Sequence, residues 1–488
     1  MTSTPAAVWN AFLGGVDAHA MCARLSAQMR ERRLRFGDRV ICPFLRPFFL
    51  DAADEARVRR VAEMLWTLGE RVAAEAIGTP QMLTDLALSD DEIGLARIDP
   101  GYKTTSTAAR ADAFILPDSL QFAEYNAESP AGAGYSQLLA ELFDAEPLMA
   151  AFRERFDARF ARPVDALLDA LVASYHEWGG TASPPRMAIV DWREVPTYSE
   201  FEILRDAFIA LGVPTVICDP RDLEYRPSPV VSGLSRTETS PVVSGLSRTV
   251  EPGLYANGQR IDLVYRRVLI NDILARETEC RALLDAYRSR TVCVANSLRC
   301  KIPHKKAFFA VLTDARYAGL FTEDEREMIR RHVPWTALVE ERRVAVDGRS
   351  VDLIPHLRAQ REQFVLKPND EYGGTGVTLG WETSEADWDT AIARAIAERD
   401  RGWVAQRRIA VRRETFPVCD GSAKALAERM TMRDMLVDFA PYIFRGKLAG
   451  FLTRLSASGL ANVTSGGGQV PAFVVTQNSE LRTQNLEV

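Results

Sequence analysis

The sequence lacks any run of about 18 apolar residues, so neither a membrane-spanning helix nor a membrane partner is expected. It also lacks a C-x-x-C pair: its seven cysteines stand scattered at 22, 42, 218, 280, 293, 300 and 419. An odd, unpatterned set suits reduced thiols in a cytosol better than a disulfide framework. The five histidines (19, 176, 304, 332 and 356) show no metal-ligand spacing. Positive charge is not in excess, with 60 Lys and Arg against 66 Asp and Glu and a formal net charge of −6. That balance gives no basic field and argues against nucleic acid as a partner. The first residues, MTSTPAAVWNAFLGG, have neither the basic segment nor the long apolar core of a secretory signal, so a cytoplasmic protein is expected. A GxxxxGK[ST] phosphate loop is absent as well.

What remains is an ordinary globular composition, 47% apolar and 26% charged over 488 residues, enough for two or three domains with large cores. The stretch 51–78 has a capping Asp51, an apolar stripe at helical spacing and a stop at Gly78. ADAFIL, the turn PDS and LQFAEYN predict a β-hairpin, and a long helical stretch is expected over roughly 136–177. From 186, RMAIVDW, SEFEILRDAFIALG and PTVICD read as strand, helix and strand of one parallel α/β unit. Its first turn, REVPTY, has no Rossmann glycines. SPVVSGLSRT occurs identically at 228–237 and 240–249. Two copies are too few for a solenoid, so an exposed, flexible insertion over 226–251 is expected. GLYANGQRIDLVYRR predicts a hairpin around Asn257-Gly258, with a helix near 275–288. The remainder, from TVCVANSLRCKIPHKKAFF onward, is strand-rich and favours antiparallel pairing. The class is mixed α/β.

Four elements could carry chemistry. FVLKPNDEYGGTGVTLGW (364–381) puts Lys367 at a strand end before Gly373, Gly374 and Gly376, whose loop can turn N–H groups toward phosphates. A strand pattern follows it, so any phosphate would lie under a hairpin loop and not at a helix N-terminus; read alone, it is also a plain turn. In FAEYNAESPAGAG (122–134), Glu124 and Asn126 alternate with Phe122, which sets both on one strand face as oxygen donors suited to Mg²⁺. The bland alternative is a polar strand edge. Lys305-Lys306 opens a helix in PHKKAFF, where a surface pair is equally natural. Arg454 in FLTRLS and Arg267 in LVYRRV are cations in apolar strands, which ordinarily have anionic partners such as a substrate carboxylate.

Together these elements resemble a circularly permuted ATP-grasp enzyme, most similar to the eukaryotic-type glutathione synthetases. ATP-grasp ligases usually place the Lys strand and glycine loop before the Glu-x-Asn; here Glu124-Tyr-Asn126 precedes Lys367, the order of the permuted branch. AEYNAESPAGAG is similar to the family's Glu-Ile-Asn-Thr segment, after which Glu128 and Ser129 would border the substrate. LKPNDEYGG is similar to the Lys-Pro-x-x-Glu-Gly-Gly loop, which puts Glu371 on the metal with Glu124 and Asn126. The Lys-Lys pair implies ATP phosphate contacts, with Lys305 the better match and Lys306 one residue of register away. WVAQRRI falls at the adenine hinge, so Ala405, Gln406 and Arg407 would edge the base. Asp438 matches a ribose-binding Glu, with metal binding the alternative. Arg454 matches an Arg that holds a substrate carboxylate or the acyl phosphate region, and Arg97 and Arg267 resemble substrate arginines more loosely.

The resemblance implies three regions. Residues 1–180 form a helical part that contributes the Glu-x-Asn hairpin, 185–298 an inserted α/β substrate domain, and 299–488 the ATP-grasp nucleotide-binding region with its glycine-rich lid. It implies ATP and Mg²⁺ as cofactors and small-molecule carboxylate and amine substrates joined through an acyl phosphate, with Lys367 and Arg454 at the reacting groups. A homodimer is compatible with the chain, whose sequence does not fix the oligomeric state. The sequence departs from the family in its hinge (Ala-Gln-Arg for Met-Glu-Lys), at Ser456 (for Lys) and in the 464–468 region, which has no alanine-rich loop. The ATP machinery therefore carries over better than the peptide specificity. The alternatives are a glutathionylspermidine-synthase-like ligase using a polyamine, which needs an acceptor cleft rich in exposed acids, and a silent nucleotide sensor, which has no need of a full metal set.

Overall fold

The computed structural model describes residues 4–37, 39–228, 251–399, 402–419, 431–457 and 467–478. All but Ser228 of the two SPVVSGLSRT copies, and positions 464–466, lie outside the described residues.

Asp51 accepts the Asp54 N–H at 2.7 Å and so starts the helix Ala52–Gly78. Its stripe of Val58, Val61, Leu65, Leu68 and Val72 is buried at helical spacing. The stripe packs on the longest strands of an antiparallel sheet. That sheet runs Gly468–Val470, Lys447–Ser456, Thr431–Phe444, Ala108–Ile115, Leu120–Asn126, with Arg413–Val418 also paired to Thr431–Phe444. On the helix side, Gly69 leaves room for the Tyr125 ring, which a Cβ would meet at 3.2 Å.

The hairpin predicted from ADAFIL and LQFAEYN is present, but its alternation is broken. Asp112 pairs with Glu124 and Ala113 with Phe122, so Ala123 is an unpaired bulge residue. Glu124 and Asn126 therefore share one face, as expected, while Phe122 is fully buried on the other.

The α/β unit is as expected and larger. Four parallel strands lie in the order Cys293–Ala295, Leu263–Arg266, Met187–Val190, Thr215–Cys218. The chain leaves Met187–Val190 to one side and returns on the other, so the crossover point lies between Met187–Val190 and Leu263–Arg266. The Asn257-Gly258 hairpin is present, with both residues at positive φ (51° and 74°). A further antiparallel sheet, Thr336–Leu338, Trp403–Arg407, Phe364–Pro368, Thr378–Leu379, packs one face on the helices Leu353–Ala359 and Glu385–Ala397 through Leu357, Leu366, Trp388 and Ile392.

Three expectations are corrected. The stretch 136–177 is not one helix: Pro147 and Pro163 each open a new one, and Phe156–Arg159 between them is a strand paired with Ala472–Gln477. The helix near 275–288 is two, Ile270–Ala275 and Arg281–Arg288. Five cysteines are free and buried, but Cys22 and Cys419 form a disulfide across a sequence separation of 397, which no local spacing could signal. No helix among the described residues is long and apolar enough to cross a membrane.

Gly132 sits at φ +104°, and a Cβ there would lie 2.6 Å from the Tyr442 hydroxyl. Gly132→Ala is expected to cost about 1–3 kcal/mol from the backbone conformation alone, measurable as a lower urea midpoint.

Candidate functional site

The two antiparallel sheets face each other across a cleft. Asp112, Glu124, Asp438 and Arg454 enter it from the larger sheet, and Lys367 and Gln406 from the smaller. The glycine loop lies at its mouth, residues 371–376 being exposed. Gly373, Gly374 and Gly376 all hold positive φ (65°, 79° and 74°), and a Cβ on Gly376 would meet Pro368 at 2.8 Å. The glycines are therefore what this turn requires.

The larger sheet brings charges of opposite sign together strand by strand. Arg454 is the cross-strand partner of Asp438. Its Nε donates to the Asp438 carboxylate and its Nη2 to Asp112 Oδ2 at 2.6 Å. Arg110 Nε donates to Asp112 Oδ1 at 2.7 Å. Burial works against the Asp112 charge, but Arg110 and Arg454 override it and hold the carboxyl well below its usual range. Burial pushes Asp438 up to about 7 against the pull of Arg454. Arg454, expected to hold a substrate carboxylate, is thus already shared between two carboxylates of the protein. Asp438, expected at a ribose, is its salt-bridge partner. Arg110 and Asp112 were missed because they look like ordinary polar positions of a hairpin strand until Arg454 arrives from 342 residues away.

The other cations are less committed. Lys367 Nζ donates to Gln406 Oε1 at 2.7 Å and to Ala123 O at 3.1 Å, a carbonyl that the bulge releases from the ladder. Both acceptors are neutral, and burial lowers the ammonium to about 8. Lys306 Nζ donates to Glu371 O at 2.5 Å and stands 3.7 Å from Glu124. Lys305, the better match on sequence, turns the other way: it is buried against Glu92 (2.7 Å) and Asp370 (2.8 Å). Arg408 stacks on Trp381, 4.3 Å from the ring centroid. Val365, Leu379, Ile409 and Val411 line the same cleft and make this part of it apolar.

The hinge expectation is altered in detail. Trp403–Arg407 is an inner strand, so Ala405 is buried with its backbone paired on both sides. Gln406 and Arg407 do line the cleft, and Arg407 makes a bidentate pair with Asp347 (2.8 and 2.7 Å).

For the metal, Asn126 Nδ2 donates to Glu124 Oε1 at 3.1 Å, Asp112 lies opposite Glu124 in register, and Glu371 is on the exposed loop. Among the described residues no three His, Cys, Asp or Glu side chains are gathered around a metal position. The expected set of Glu124, Asn126 and Glu371 has two members hydrogen-bonded to each other on one strand and the third on the exposed loop. Its chemistry still fits Mg²⁺, which takes oxygen ligands, keeps several waters and borrows phosphate oxygens.

The four expected substrate residues divide. Arg97 is the exposed C-cap of the helix Asp90–Ala96, outside the cleft. The other three belong to the 127–134 loop and its clamp, beside the carboxyl end of the parallel strand Leu263–Arg266. Arg267 is buried, and its Nη1 donates to Pro130 O (2.6 Å) and to the Tyr265 hydroxyl (3.1 Å). Ser129 Oγ donates to Arg267 O at 3.0 Å. Glu128 is buried against Arg266 (3.4 Å) and Lys301 (3.3 Å). Glu200 Oε1 accepts the Gly132 and Gly134 N–H groups at 2.6 and 3.2 Å.

No family model matches the chain. A glutathione synthetase-like effector from Globodera pallida, solved in its apo form, matches over 94% of this chain and 97% of its own, with a TM-score of 0.57 at 11% identity. The fold is glutathione synthetase-like. Relatives by sequence include an uncharacterized protein of Mycobacterium tuberculosis, 23% identical over 244 residues (47% of this chain, 39% of the relative). Another is a Frankia alni protein provisionally named glutamate–cysteine ligase 2-3, 23% identical over 295 residues (56% of this chain, 31% of the relative). The chain spans less than two fifths of the length of these curated relatives.

Two outcomes are expected from the site. Arg454→Met leaves Asp112 and Asp438 without their shared cation and should cost about 3–5 kcal/mol in urea unfolding, with Asp438→Asn costing less. A phosphate group beside Lys367 favours the charged ammonium, so binding takes up a proton where the free lysine, near 8, is partly neutral. The affinity of any phosphate-bearing ligand seated there, measured by calorimetry, should therefore be full below pH 8 and fall as the pH rises above it, with proton uptake visible as a buffer-dependent heat.

Proposed function

We propose that the protein is an ATP-dependent carboxylate–amine ligase. The observation that carries this reading is the cleft itself, where two antiparallel sheets bring Glu124, hydrogen-bonded by Asn126, together with a lysine that has only neutral acceptors (Lys367) beneath a glycine loop. The glutathione synthetase-like fold, and a relative provisionally named as a glutamate–cysteine ligase, support the same class.

In this reading the ring of ATP occupies the apolar part of the cleft beside Trp381 and Ile409, and its phosphates run toward Lys367 and Lys306. Glu124, Asn126 and Glu371 would hold Mg²⁺, which supplies charge neutralisation to phosphate oxygens when bound. A substrate carboxylate oxygen attacks the γ-phosphorus as the bond to ADP breaks. The amine nitrogen then attacks the acyl carbon, the bond to phosphate breaks, and the nitrogen loses its proton. The protein's contribution is positioning and fixed charge. The glycine loop, closing from the mouth, keeps water from the acyl phosphate. With Arg454 already paired, the substrate carboxylate must find its anchor elsewhere than on that guanidinium.

A polyamine acceptor is the weaker reading for this cleft, because Asp112 and Asp438 are matched by Arg110 and Arg454, and Glu124 stands beside Lys306. A silent nucleotide sensor would show binding without turnover.

The deciding experiment is phosphate release from Mg-ATP against pools of amino acids, dipeptides and polyamines. Release that depends on a pool and falls about 100-fold in Glu124→Ala is the expected result. Binding with no release in any pool would favour the sensor, and no nucleotide binding by folded protein would end the ligase reading.

A further inference from the structure

Behind the glycine loop lies a buried set of charges that the ligase mechanism does not use. Lys301, 1% exposed, opens the short helix Lys301–His304. Its Nζ stands 2.8 Å from Asp370 Oδ1, 3.3 Å from Glu128 Oε2 and 2.9 Å from Asn271 Oδ1. Lys305 takes the other Asp370 oxygen at 2.8 Å and Glu92 at 2.7 Å. His304 Nε2 lies beside both acids, 3.6 Å from Glu128 and 3.9 Å from Asp370.

The position of these two acids in the chain gives the network its interest. Asp370 is the residue immediately before the glycine loop. Its neighbour Asn369 is pinned as well: Oδ1 accepts the Ala307 N–H at 2.8 Å and Nδ2 donates to Leu86 O at 2.9 Å. The base of the loop is therefore fixed, while residues 371–376 stand exposed. Glu128 belongs to the 127–134 loop, and its carboxylate also takes the Ile270 N–H. One ammonium thus joins the segment beside the parallel sheet to the segment that starts the lid. Replacing a buried ion network by apolar side chains is often neutral or stabilising, so the network is weak evidence for stability. Its specific effect is geometric. A shift of either acid leaves a buried charge short of its partner, which is costly, so the other must follow.

We propose that Lys301 is a positioning residue that ties the 127–134 loop to the base of the glycine loop, so that a displacement of the first is passed to the second. The proposal rests on the nucleotide reading of the cleft, because a nucleotide is what the glycine loop would close over.

The test is a double-mutant cycle of Glu128→Gln and Lys301→Met in the full chain. Hydrogen–deuterium exchange of residues 369–377 is the first readout and Mg-ADP affinity by calorimetry the second. Glu128→Gln alone is expected to speed exchange at 369–377 and to weaken Mg-ADP, each about tenfold. It should add nothing further once Lys301 is Met. Faster exchange confined to 127–134, or effects that simply multiply in the double variant, would overturn the proposal; a purely structural role would lower the melting temperature and leave the two changes independent. If Lys301→Met does not fold, Asp370→Asn takes its place in the cycle under the same criteria. If the wild-type protein binds no Mg-ADP, the nucleotide reading falls, and the exchange data still decide the coupling.

Discussion

Arg454 lies between Asp112 and Asp438, and the cleft face of the larger sheet depends on that placement. Two carboxylates on neighbouring strands repel one another in a poorly solvated interior; a guanidinium between them removes the repulsion and fixes both. With Arg110 on the outer side of Asp112, the sheet presents a row of alternating charge that is locally neutral. Neutrality there has a consequence for the opposite wall. The cations free to meet an anion are left on the smaller sheet and at the glycine loop, where Lys367 has only neutral acceptors. The cleft is therefore polarised, with one wall self-satisfied and the other unsatisfied.

That polarity rests on backbone detail. The bulge at Ala123 turns Glu124 into the cleft, sends Phe122 to the core and releases the carbonyl that steadies Lys367. A regular hairpin of the same sequence would keep Phe122 and Glu124 on one face and set the core requirement against the site requirement. Gln406 acts in the same direction. As an amide it orients Lys367 without neutralising it, where a carboxylate would have done both.

The parts of the fold that were legible in the sequence are those written in local period or local chain geometry. The helix Ala52–Gly78, the hairpin pairing, the parallel unit around Met187–Val190 and the glycine loop after Lys367 each declare themselves within one short continuous stretch of chain. Features set by distant register were not legible. Phe156–Arg159 reads as part of a helical stretch because its partner, Ala472–Gln477, lies near the other end of the chain. Lys305 and Lys306 differ by one step, and the Glu92 and Asp370 carboxylates on other segments decide which of them turns inward. Arg267 was expected to have an anionic partner, but its Nη1 donates to the neutral Pro130 carbonyl and Tyr265 hydroxyl of its own fold. The Trp381–Arg408 stack and the Cys22–Cys419 bridge join positions with no shared pattern at all.

The strand order of the larger sheet also bears on how the chain is made. Leu120–Asn126 and Ala108–Ile115 find their sheet partner in Thr431–Phe444, and the helix Ala52–Gly78 packs on that same late strand. About 300 residues separate the two parts, which at about 5–20 residues per second is tens of seconds of synthesis. Throughout that interval the apolar stripe of the helix and the inner edge of the hairpin lack that strand. The parallel sheet can close earlier, since its last strand is Cys293–Ala295. A newborn chain would thus carry a finished middle and an unfinished beginning, and the beginning is the part that a chaperone would have to shield.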